Sequence, residues 1–260
     1  MVCQICKHDN RAVFNQKILN KHTVQYYYCD QCGFLQTETP YWLDEAYSDA
    51  IAGADTGLVQ RNCLIAHRLA MLLIMLFGRQ GRYADFAGGT GLLVRMMRDI
   101  GFDFYWKDPY SRNIHARGFE FDADLAPCTA LTAFEVMEHL EDPLAFIQDA
   151  LETAQTDTFI FTTELFHGTP PAPGEWNYYA PETGQHIAFY QQKTLKAIAE
   201  RLGLQFFSSS GFHMMTARKV SSASYRFAVS RWAGQLFPLT RFVLRSKTMD
   251  DHYRMLKHRG

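Results

Sequence analysis

Two carboxylates and an imidazole stand within five residues of one another in the stretch AFEVMEHLEDP. An apolar run leads to Glu135, and Glu138 and His139 follow before an Asp-Pro that opens a predicted helix. An imidazole titrates near neutral pH, so it can take a proton from a substrate hydroxyl or an acidic carbon. We therefore predict His139 as a general base, Glu138 as the group that fixes its tautomer or raises its basicity, and His186 as a reserve base. The alternative is structural, with Glu138 and His139 bonded to loop amides.

Four cysteines form a second group whose spacing indicates chemistry. Cys3 and Cys6 make one CxxC pair, and Cys29 and Cys32 make another, with 22 residues between the pairs. Two CxxC turns can direct four thiolates at one tetrahedral zinc ion. Because all four positions are filled by cysteine, the predicted zinc is structural. A redox dithiol or unrelated free thiols are the alternatives.

The residues that follow each cysteine pair bear on the same site. Gly33 suits a tight turn around a metal, whereas the first pair is followed by Lys7 where a glycine is usual. His8 and His22 lie near the cysteines in the sequence, and we interpret them as bystanders to the metal site.

A glycine turn must position a ligand further along the chain. A predicted strand, residues 82–87, runs into Gly89-Thr90-Gly91 and then into a helix, and a second strand ends at Asp108. This order is typical of the nucleotide-binding half of a doubly wound α/β sheet. Glycines let the backbone approach a ligand, and an acid after the second strand can bind ribose hydroxyls.

The same turn indicates which nucleotide is bound. The last glycine of the dinucleotide fingerprint GxGxxG is missing, so a dinucleotide enzyme is disfavoured. Asp85 at the head of the turn fits a cationic ligand better than a pyrophosphate. We therefore predict S-adenosylmethionine, whose amine and sulfonium are positive, at Asp85, Gly89, Gly91 and Asp108.

Residues 82–215 resemble the class I S-adenosylmethionine-dependent methyltransferases. The resemblance is carried by DFAGGTG, Asp108, FEVMEHLEDP and GQHIAFYQQKTLKAIAERLG. The family usually has glycine where this chain has Ala87, and alanine fits there if its φ is negative. The resemblance implies a methyltransferase that binds the cofactor also through Ala87 and Phe134, with Tyr47 and Arg61 as further candidates.

The resemblance also implies alternatives for the catalytic group and the substrate. ExxEH with a distant histidine is similar to magnesium-dependent O-methyltransferases of small-RNA ends, in which case Glu135, Glu138, His139 and His186 would hold Mg²⁺. Imidazole is an unusual magnesium ligand, so we place acid–base chemistry first. Methyltransferases with an N-terminal zinc ribbon suggest a nucleotide- or carrier-linked sugar of surface polysaccharide synthesis as substrate. An RNA methyltransferase that holds RNA with its ribbon and basic tail is the alternative.

The remaining elements complete a doubly wound, Rossmann-like methyltransferase sheet. Strands are predicted at 128–134 and 158–163, helices at 143–154 and 194–202, and a hairpin turned at Ser210-Gly211. The predicted divisions are a zinc ribbon (1–40), a helical connecting segment (41–78), the cofactor-binding domain (79–218) and a basic helical extension (219–260). A loop after the 158–163 strand carries three aromatic residues that we expect either to form a lid or to anchor the loop, namely Trp176, Tyr178 and Tyr179.

Composition sets further limits. A formal charge of -1 argues against a protein that coats nucleic acid over its whole surface, although from Arg218 onward ten basic residues face only two acidic ones. No export signal is visible, and the most apolar run, LAMLLIMLF, is about half the length of a membrane span. We therefore expect a cytoplasmic protein without a membrane span, and the sequence does not indicate its oligomeric state.

Overall fold

The computed structural model describes residues 1–47 and 56–257, and its N-terminal part is a four-stranded antiparallel sheet. The strands are β1 (Arg11–Ile18), β2 (His22–Tyr28), β3 (Leu35–Thr37) and, much later in the chain, β8 (Ala188–Phe189). β8 pairs with β3, through Leu35 opposite Phe189. The predicted helical connecting segment (41–78) includes residues 48–55, which lie outside the described residues.

Side-chain contacts tie this small sheet to the rest of the chain. The indole Nε1 of Trp42, just before the short helix α1 (Leu43–Ala46), donates to the carbonyl of Gly184 at 2.8 Å. The hydroxyl of Thr194 donates to the carbonyl of Cys32 at 2.8 Å. The cysteine-rich segment therefore packs on the main domain instead of extending from it.

A six-stranded sheet forms the main domain and confirms the predicted α/β class. Its spatial order is β5-β4-β6-β7-β10-β9; the first three of these pairings are parallel, and β10 runs antiparallel to both neighbours. The strands are β4 (Arg82–Phe86), β5 (Asp103–Lys107), β6 (Ala130–Ala133), β7 (Thr158–Thr162), β9 (Gln205–Ser209) and β10 (Phe212–Thr216). Because parallel strands end at one edge, this edge gathers the residues that follow β4, β5 and β6.

Helices cover both faces of this sheet. Phe159 and Phe161 of β7 point into a core shared with α4 (Pro143–Ala154) and α5 (Gln192–Arg201). Ile160, between them, points into a second core shared with α2 (Leu58–Phe77) and α3 (Leu92–Ile100). The alternation is what a strand buried on both faces requires.

Within the described residues, α2 is the one helix long and apolar enough to cross a membrane. It spans 20 residues, because the helix continues on the N-terminal side of the nine-residue apolar run LAMLLIMLF. It packs against α3 and α6 (Ser222–Ala228). Seven of its residues are buried, which makes it a core helix of this fold: Ile65, Ala66, Leu69, Ala70, Met71, Leu72 and Leu73.

The basic C-terminal extension is helical, as predicted. It comprises α6, α7 (Arg231–Gln235), a 3₁₀ segment (Phe237–Phe242) and α8 (Thr248–Lys257). A two-pronged ion pair holds α8 on α3: Arg98 Nε and Nη2 lie 2.8 and 2.7 Å from the carboxylate oxygens of Asp251. Both residues are buried. Removal of one partner of such a pair costs roughly 3–5 kcal/mol, because it leaves the other charge unpaired.

Candidate functional site

The glycine turn after β4 contains three residues in the left-handed region. The φ angles of Ala87, Gly89 and Gly91 are 57°, 52° and 81°. Alanine fits at position 87 without strain only if its φ is negative, and this condition is not met. A left-handed alanine costs about 1–2 kcal/mol relative to glycine, because its Cβ approaches the following carbonyl. The departure from glycine is therefore a source of backbone strain at this edge.

Asp108, after β5, organises the same turn. One carboxylate oxygen accepts from the backbone N–H of Gly89 at 2.8 Å, and the other accepts from Tyr110 at 2.8 Å and Ser111 at 2.9 Å. An ionised carboxylate offers about four acceptor positions, so room remains for a ribose hydroxyl. The residue already fixes the loop against which a nucleoside would lie.

Asp85, in β4, is buried below the turn at 3% exposure. The hydroxyl of Thr132 donates to its Oδ1 at 2.5 Å. Burial, opposed by this hydrogen bond and reinforced by the charge of Asp108, raises the pKa of Asp85 to about 7. Its charge therefore responds to a cation placed beside it.

Glu135 leaves β6 in the left-handed region with a φ of 56°. The hydroxyl of Thr162 donates to its Oε1 at 2.6 Å, and Arg61 Nε lies 3.8 Å from its Oε2. Its neighbour Phe134 is half-buried and packs on Phe212, with ring centroids 5.6 Å apart. Glu135 is thus engaged with the protein, and it links the loop after β6 to α2.

Glu138 is buried at 1% exposure, and its Oε2 has no hydrogen-bond partner among the described residues. Burial, with the nearby charge of Glu135, raises the pKa of Glu138 to about 7. A buried, unpaired carboxylate oxygen is costly, so a proton or a cation is the expected occupant of this position.

His139 is oriented differently from the prediction. Its Nδ1 lies 3.1 Å from the carbonyl of Gln185 and 3.1 Å from the hydroxyl of Tyr47, so a carbonyl, not Glu138, fixes its tautomer. Because a carbonyl only accepts, Nδ1 carries the proton and Nε2 keeps a lone pair. Burial lowers the pKa of His139, which favours the neutral base at pH 7.

His186 repeats this arrangement beside it. Its Nδ1 donates to the carbonyl of Tyr178 at 2.6 Å, which leaves a lone pair on Nε2. Burial, with the neighbouring His139, lowers its pKa. The two imidazole centroids are 4.9 Å apart, and one potential ligand atom from each of Glu138, His139 and His186 lies within 4.8 Å of the others. We call these three residues the edge cluster. Three of the four residues of the metal alternative thus come together; the fourth, Glu135, contacts Thr162 and Arg61.

The aromatic loop is anchored to the protein. Tyr179 is buried between Phe14 and Phe189, and its hydroxyl donates to the carbonyl of Pro171. Trp176 packs on Phe189. The loop was expected either to form a lid or to be anchored by its aromatic residues, and Trp176 and Tyr179 both anchor it. The hydroxyl of Tyr178 contacts that of Thr163 at 3.1 Å, while its carbonyl orients His186.

The four cysteines of the N-terminal sheet also converge. Their sulfur atoms lie within 4.8 Å of one another, with 3.5 Å between Cys3 and Cys32 and 3.4 Å between Cys6 and Cys29. Zinc–sulfur bonds of about 2.3 Å in a tetrahedron put the sulfurs about 3.8 Å apart, so the spacing fits zinc. The thiol hydrogen bond between Cys3 and Cys32 lowers the pKa of Cys3 and raises that of Cys32.

His8 and His22 lie outside this group, as expected. His8 Nδ1 contacts the carbonyl of Cys6, and His22 Nε2 contacts Glu45 at 3.1 Å. We call Cys3, Cys6, Cys29 and Cys32 the thiol cluster.

Some supporting groups were not anticipated. The carbonyls of Gln185 and Tyr178, which orient the two histidines, carry no signal in the sequence because every residue has a carbonyl. Thr132 and Thr162 could have been noticed, since each is a hydroxyl within a buried, otherwise apolar strand.

Comparison with known proteins gave one family match. Residues 59–209, more than half of the chain, match a family described as "Methyltransferase domain". A search of curated proteins found no match.

Solved structures gave more distant similarities. TnmH is 16% identical with a TM-score of 0.45, covering 69% of this chain and 62% of its own. An O-methyltransferase family 2 protein from Planctomyces limnophilus, in complex with apigenin, is 16% identical with a TM-score of 0.45, covering 68% and 65%. The small RNA methyltransferase HEN1 is 15% identical with a TM-score of 0.40, covering 66% and 27%. This chain thus spans less than two thirds of the length of each.

Proposed function

Because this chain belongs to the methyltransferase-domain family, we propose that it transfers a methyl group from S-adenosylmethionine to an oxygen of a small molecule. The observation that carries the oxygen acceptor is the edge cluster. Two neutral imidazoles and a buried carboxylate meet where the strands end, beside the turn proposed for the cofactor. Methyl transfer to a hydroxyl requires alignment and removal of one proton, and these side chains suit both tasks.

The cofactor is proposed to lie on the glycine turn. Gly89 leaves its backbone open, whereas Gly91 packs closely on Asn113 and Ala116 and so fixes the turn. Asp108 would accept a ribose hydroxyl, and the ionised form of Asp85 would attract the methionyl ammonium. Ala87 and Phe134 are proposed to border the cofactor, while Tyr47 contacts His139 and Arg61 contacts Glu135. Tyr47 and Arg61 are therefore better suited to the acceptor side than to the cofactor.

Calorimetric titration with S-adenosylhomocysteine tests the cofactor assignment. Loss of a hydrogen bond to a charged group costs about 1.5–3 kcal/mol, so Asp108→Ala should weaken binding by roughly tenfold or more. Asp149→Ala, an exposed acid on α4, is the matched control. Equal affinity of Asp108→Ala and wild type would remove Asp108 from the proposal.

His139 is proposed as the group that handles the acceptor proton. Its Nδ1–H is held by the carbonyl of Gln185, so the basic Nε2 is the atom available to a substrate. The hydroxyl of Tyr47 restrains the same ring. His186 is a reserve base with the same tautomer.

A metal-assisted version of this step is favoured by one observation: within residues 1–47 and 56–257, Glu138 Oε2 has no hydrogen-bond partner. Histidines that bind metals usually donate their other N–H to a carbonyl, as His139 and His186 do. Glu138, His139 and His186 would hold the ion, which would polarise the acceptor oxygen and make its proton more acidic. Two nitrogen donors favour a transition ion such as Mn²⁺ over Mg²⁺.

The thiol cluster is proposed to hold one structural zinc. Four thiolates leave no position for water or substrate, so this ion would stabilise the N-terminal sheet and take no part in methyl transfer.

The acceptor is proposed to be a nucleotide- or carrier-linked sugar. The edge cluster is half-buried to buried between Tyr47 and Tyr178, and this enclosure suits a single hydroxyl of a compact substrate. RNA is the alternative acceptor. Incubation of the enzyme and labelled S-adenosylmethionine with fractionated cell extract separates the two: label in small sugar conjugates supports the proposal, and label in RNA contradicts it. RNA binding should also fall steeply with salt, because it releases counterions.

A further inference from the structure

The C-terminal extension presents an apolar face to solvent. Between α7 and the end of the 3₁₀ segment, large apolar residues recur every three or four positions on the outward side. Trp232 and Phe242 are each 71% exposed. We call this exposed set the C-terminal ridge: Trp232, Leu236, Leu239, Phe242 and Val243.

A different set of residues attaches this segment to the protein. Ala233 and Thr240 are buried, and the ring of Phe237 stacks on His67 of α2 at 3.8 Å between centroids. The inward side is therefore already packed on the core. The ridge lies on the opposite side, where a surface helix of a soluble protein normally carries polar residues.

The chain segment that carries the ridge has charged residues of one sign. Arg231, Arg241 and Arg245 are exposed, and the chain from residue 201 to residue 249 contains eight basic residues and no Asp or Glu. Arg245 is paired at 3.5 Å with Asp250, just beyond this stretch, and its side chain stays 87% exposed. The neighbourhood of the ridge is thus strongly basic.

An open groove of about 640 Å³ runs beside the ridge. Arg241 and Arg245 line it together with Leu244. The one acid in its lining, Asp99, is paired with Arg95 at 2.8 Å. The groove therefore places guanidinium groups next to apolar surface. This combination is complementary to an anionic phospholipid, which has a negatively charged headgroup next to apolar acyl chains.

We propose that the C-terminal ridge docks on an anionic membrane surface. Exposed Trp, Phe and Leu side chains flanked by arginines match segments that lie in the membrane interface, where apolar side chains enter the acyl boundary and arginines bind acidic headgroups. The inference does not depend on which methyl acceptor the enzyme uses. The protein would lie on the membrane, with α2 retained in its core.

Two other occupants fit the ridge less well. A second copy in a two-fold interface would bring the arginines of both copies together, and like charges oppose association. Nucleic acid would satisfy the arginines and could stack on Trp232 and Phe242, but it would leave Leu236, Leu239 and Val243 exposed. A bilayer satisfies both kinds of side chain.

Co-sedimentation of the full chain with vesicles tests the proposal. One vesicle set contains equal parts of phosphatidylglycerol and phosphatidylcholine, and the other contains phosphatidylcholine alone. We expect binding to the anionic vesicles and much weaker binding to the neutral ones. Since burial of a large apolar side chain is worth about 1.5–3 kcal/mol, Trp232→Ser/Phe242→Ser should lower the partition coefficient at least about tenfold.

A charge variant separates the electrostatic contribution. An arginine near an anionic surface is worth about 1 kcal/mol, so Arg231→Gln/Arg241→Gln should lower binding about fivefold for each charge removed, and more at low salt. The matched controls are Tyr41→Ser, an exposed aromatic near the N-terminal sheet, and Lys17→Gln/Lys196→Gln, which removes two exposed charges elsewhere. Both controls should bind as wild type does, and all variants should keep wild-type affinity for S-adenosylhomocysteine, which shows that they are folded.

Three results would overturn the proposal. The first is wild-type protein that stays in the supernatant with both vesicle sets. The second is a wild-type dimer in sedimentation velocity that Trp232→Ser/Phe242→Ser converts to a monomer, because the ridge would then be a self-association surface. The third is single-stranded RNA that binds through the same residues while anionic vesicles do not.

Discussion

The thiol cluster and the edge cluster differ in how completely the protein surrounds them. In the thiol cluster, four like ligands come from two CxxC turns, and every sulfur has a sulfur neighbour at about van der Waals contact or closer. In the edge cluster, one carboxylate and two imidazoles converge, and one carboxylate oxygen lacks a partner in the part of the chain that the structure describes. The first supplies a complete tetrahedron, while the second leaves positions for a ligand from outside.

This difference separates stability from chemistry. Closed metal sites contribute to folding, and sites with open positions contribute to catalysis. The supports differ accordingly. The thiol cluster is held by local turns at Lys7 and Gly33, whereas the edge cluster is assembled from two distant segments whose histidines are each fixed by a carbonyl.

Loss of one thiol should have the largest effect. Cys29→Ser is expected to abolish zinc binding and unfold residues 1–40, because structural zinc contributes roughly 10–16 kcal/mol to small metal-dependent folds. Metal analysis should fall from about one zinc per chain to none, and limited proteolysis should cut within residues 1–40. Cys63→Ser, outside the cluster, should retain the metal. If the metal-free wild-type protein has an ordered N-terminus, the thiol cluster is not a structural metal site.

The next effect concerns catalysis without loss of structure. His139→Ala should keep cofactor affinity and lose turnover by about 10²–10⁴-fold, the contribution typical of a general base. His167→Ala, an exposed histidine, serves as the control. An active His139→Ala on the true substrate would show that the edge cluster is structural.

A chelator then distinguishes the two versions of the step. A wild-type rate that survives chelation points to proton transfer by His139 alone. A rate that is lost, and that Mn²⁺ restores, points to the metal-assisted version.

A smaller effect is expected from the titration of Asp85. Like Glu138, Asp85 is a buried carboxyl, but it has a hydrogen-bond partner, Thr132. Its pKa is raised to about 7, so the acid is mostly neutral below pH 7 and ionised above it. Since the ionised form attracts the cofactor ammonium, affinity for S-adenosylhomocysteine should fall by about tenfold between pH 8 and pH 6. The stability contribution has the opposite sign, because the protonated acid favours the folded state and that contribution is lost as pH rises through about 7.

Titration calorimetry across this range, with Asp85→Asn as the comparison, measures the dependence. The variant should bind more weakly at pH 8 and show a flat profile. If the affinity of the wild type does not change between pH 6 and pH 8, Asp85 does not bind the ammonium group of the cofactor.

The smallest effect is expected from the two CxxC turns of the thiol cluster, which we call its knuckles: Cys3 to Lys7 is the first, and Cys29 to Gly33 is the second. Gly33 and Lys7 follow their cysteines with φ angles of 75° and 62°, so the first knuckle holds a left-handed lysine. Lys7→Gly should stabilise the N-terminal sheet by about 0.5–1 kcal/mol, because glycine adopts this conformation without a Cβ penalty. Lys17→Gly, within β1, should instead destabilise it by a similar amount. Thermal unfolding of the zinc-loaded protein measures both, and an unchanged or lower midpoint for Lys7→Gly counts against strain at this knuckle.

Most of the main domain was predictable from the sequence. α4 begins and ends at the predicted residues, Pro143 and Ala154, because Asp142 caps it and Pro143 suits its first turn. The strands along the glycine turn and the hairpin at Ser210-Gly211 agree within a few residues, since apolar runs between turn signals are a strong pattern. The residues of the edge cluster could be named because ExxEH is unusual directly after a strand.

What the sequence could not supply is long-range geometry. β8 has two residues, too few for any periodic pattern, and it is a strand only because β3 lies beside it. The left-handed φ of Ala87 was missed because residue type alone favours a negative value there. The partner of His139 was assigned to a carboxylate, whereas folding places the carbonyl of Gln185 against it.

The placement of β8 limits how this chain can be shortened or recombined with a related chain. His186 lies two residues before β8, and Ile187 between them donates its N–H to the carbonyl of Glu138 at 2.8 Å. The last strand of the N-terminal sheet therefore also belongs to the segment that delivers His186, the proposed reserve base. The N-terminal sheet is not a detachable module, and a shortened chain that begins after residue 40 would lose β3, the strand that positions the loop carrying His186. Exchange of this sheet between relatives would succeed only if the segment around residue 188 travelled with it.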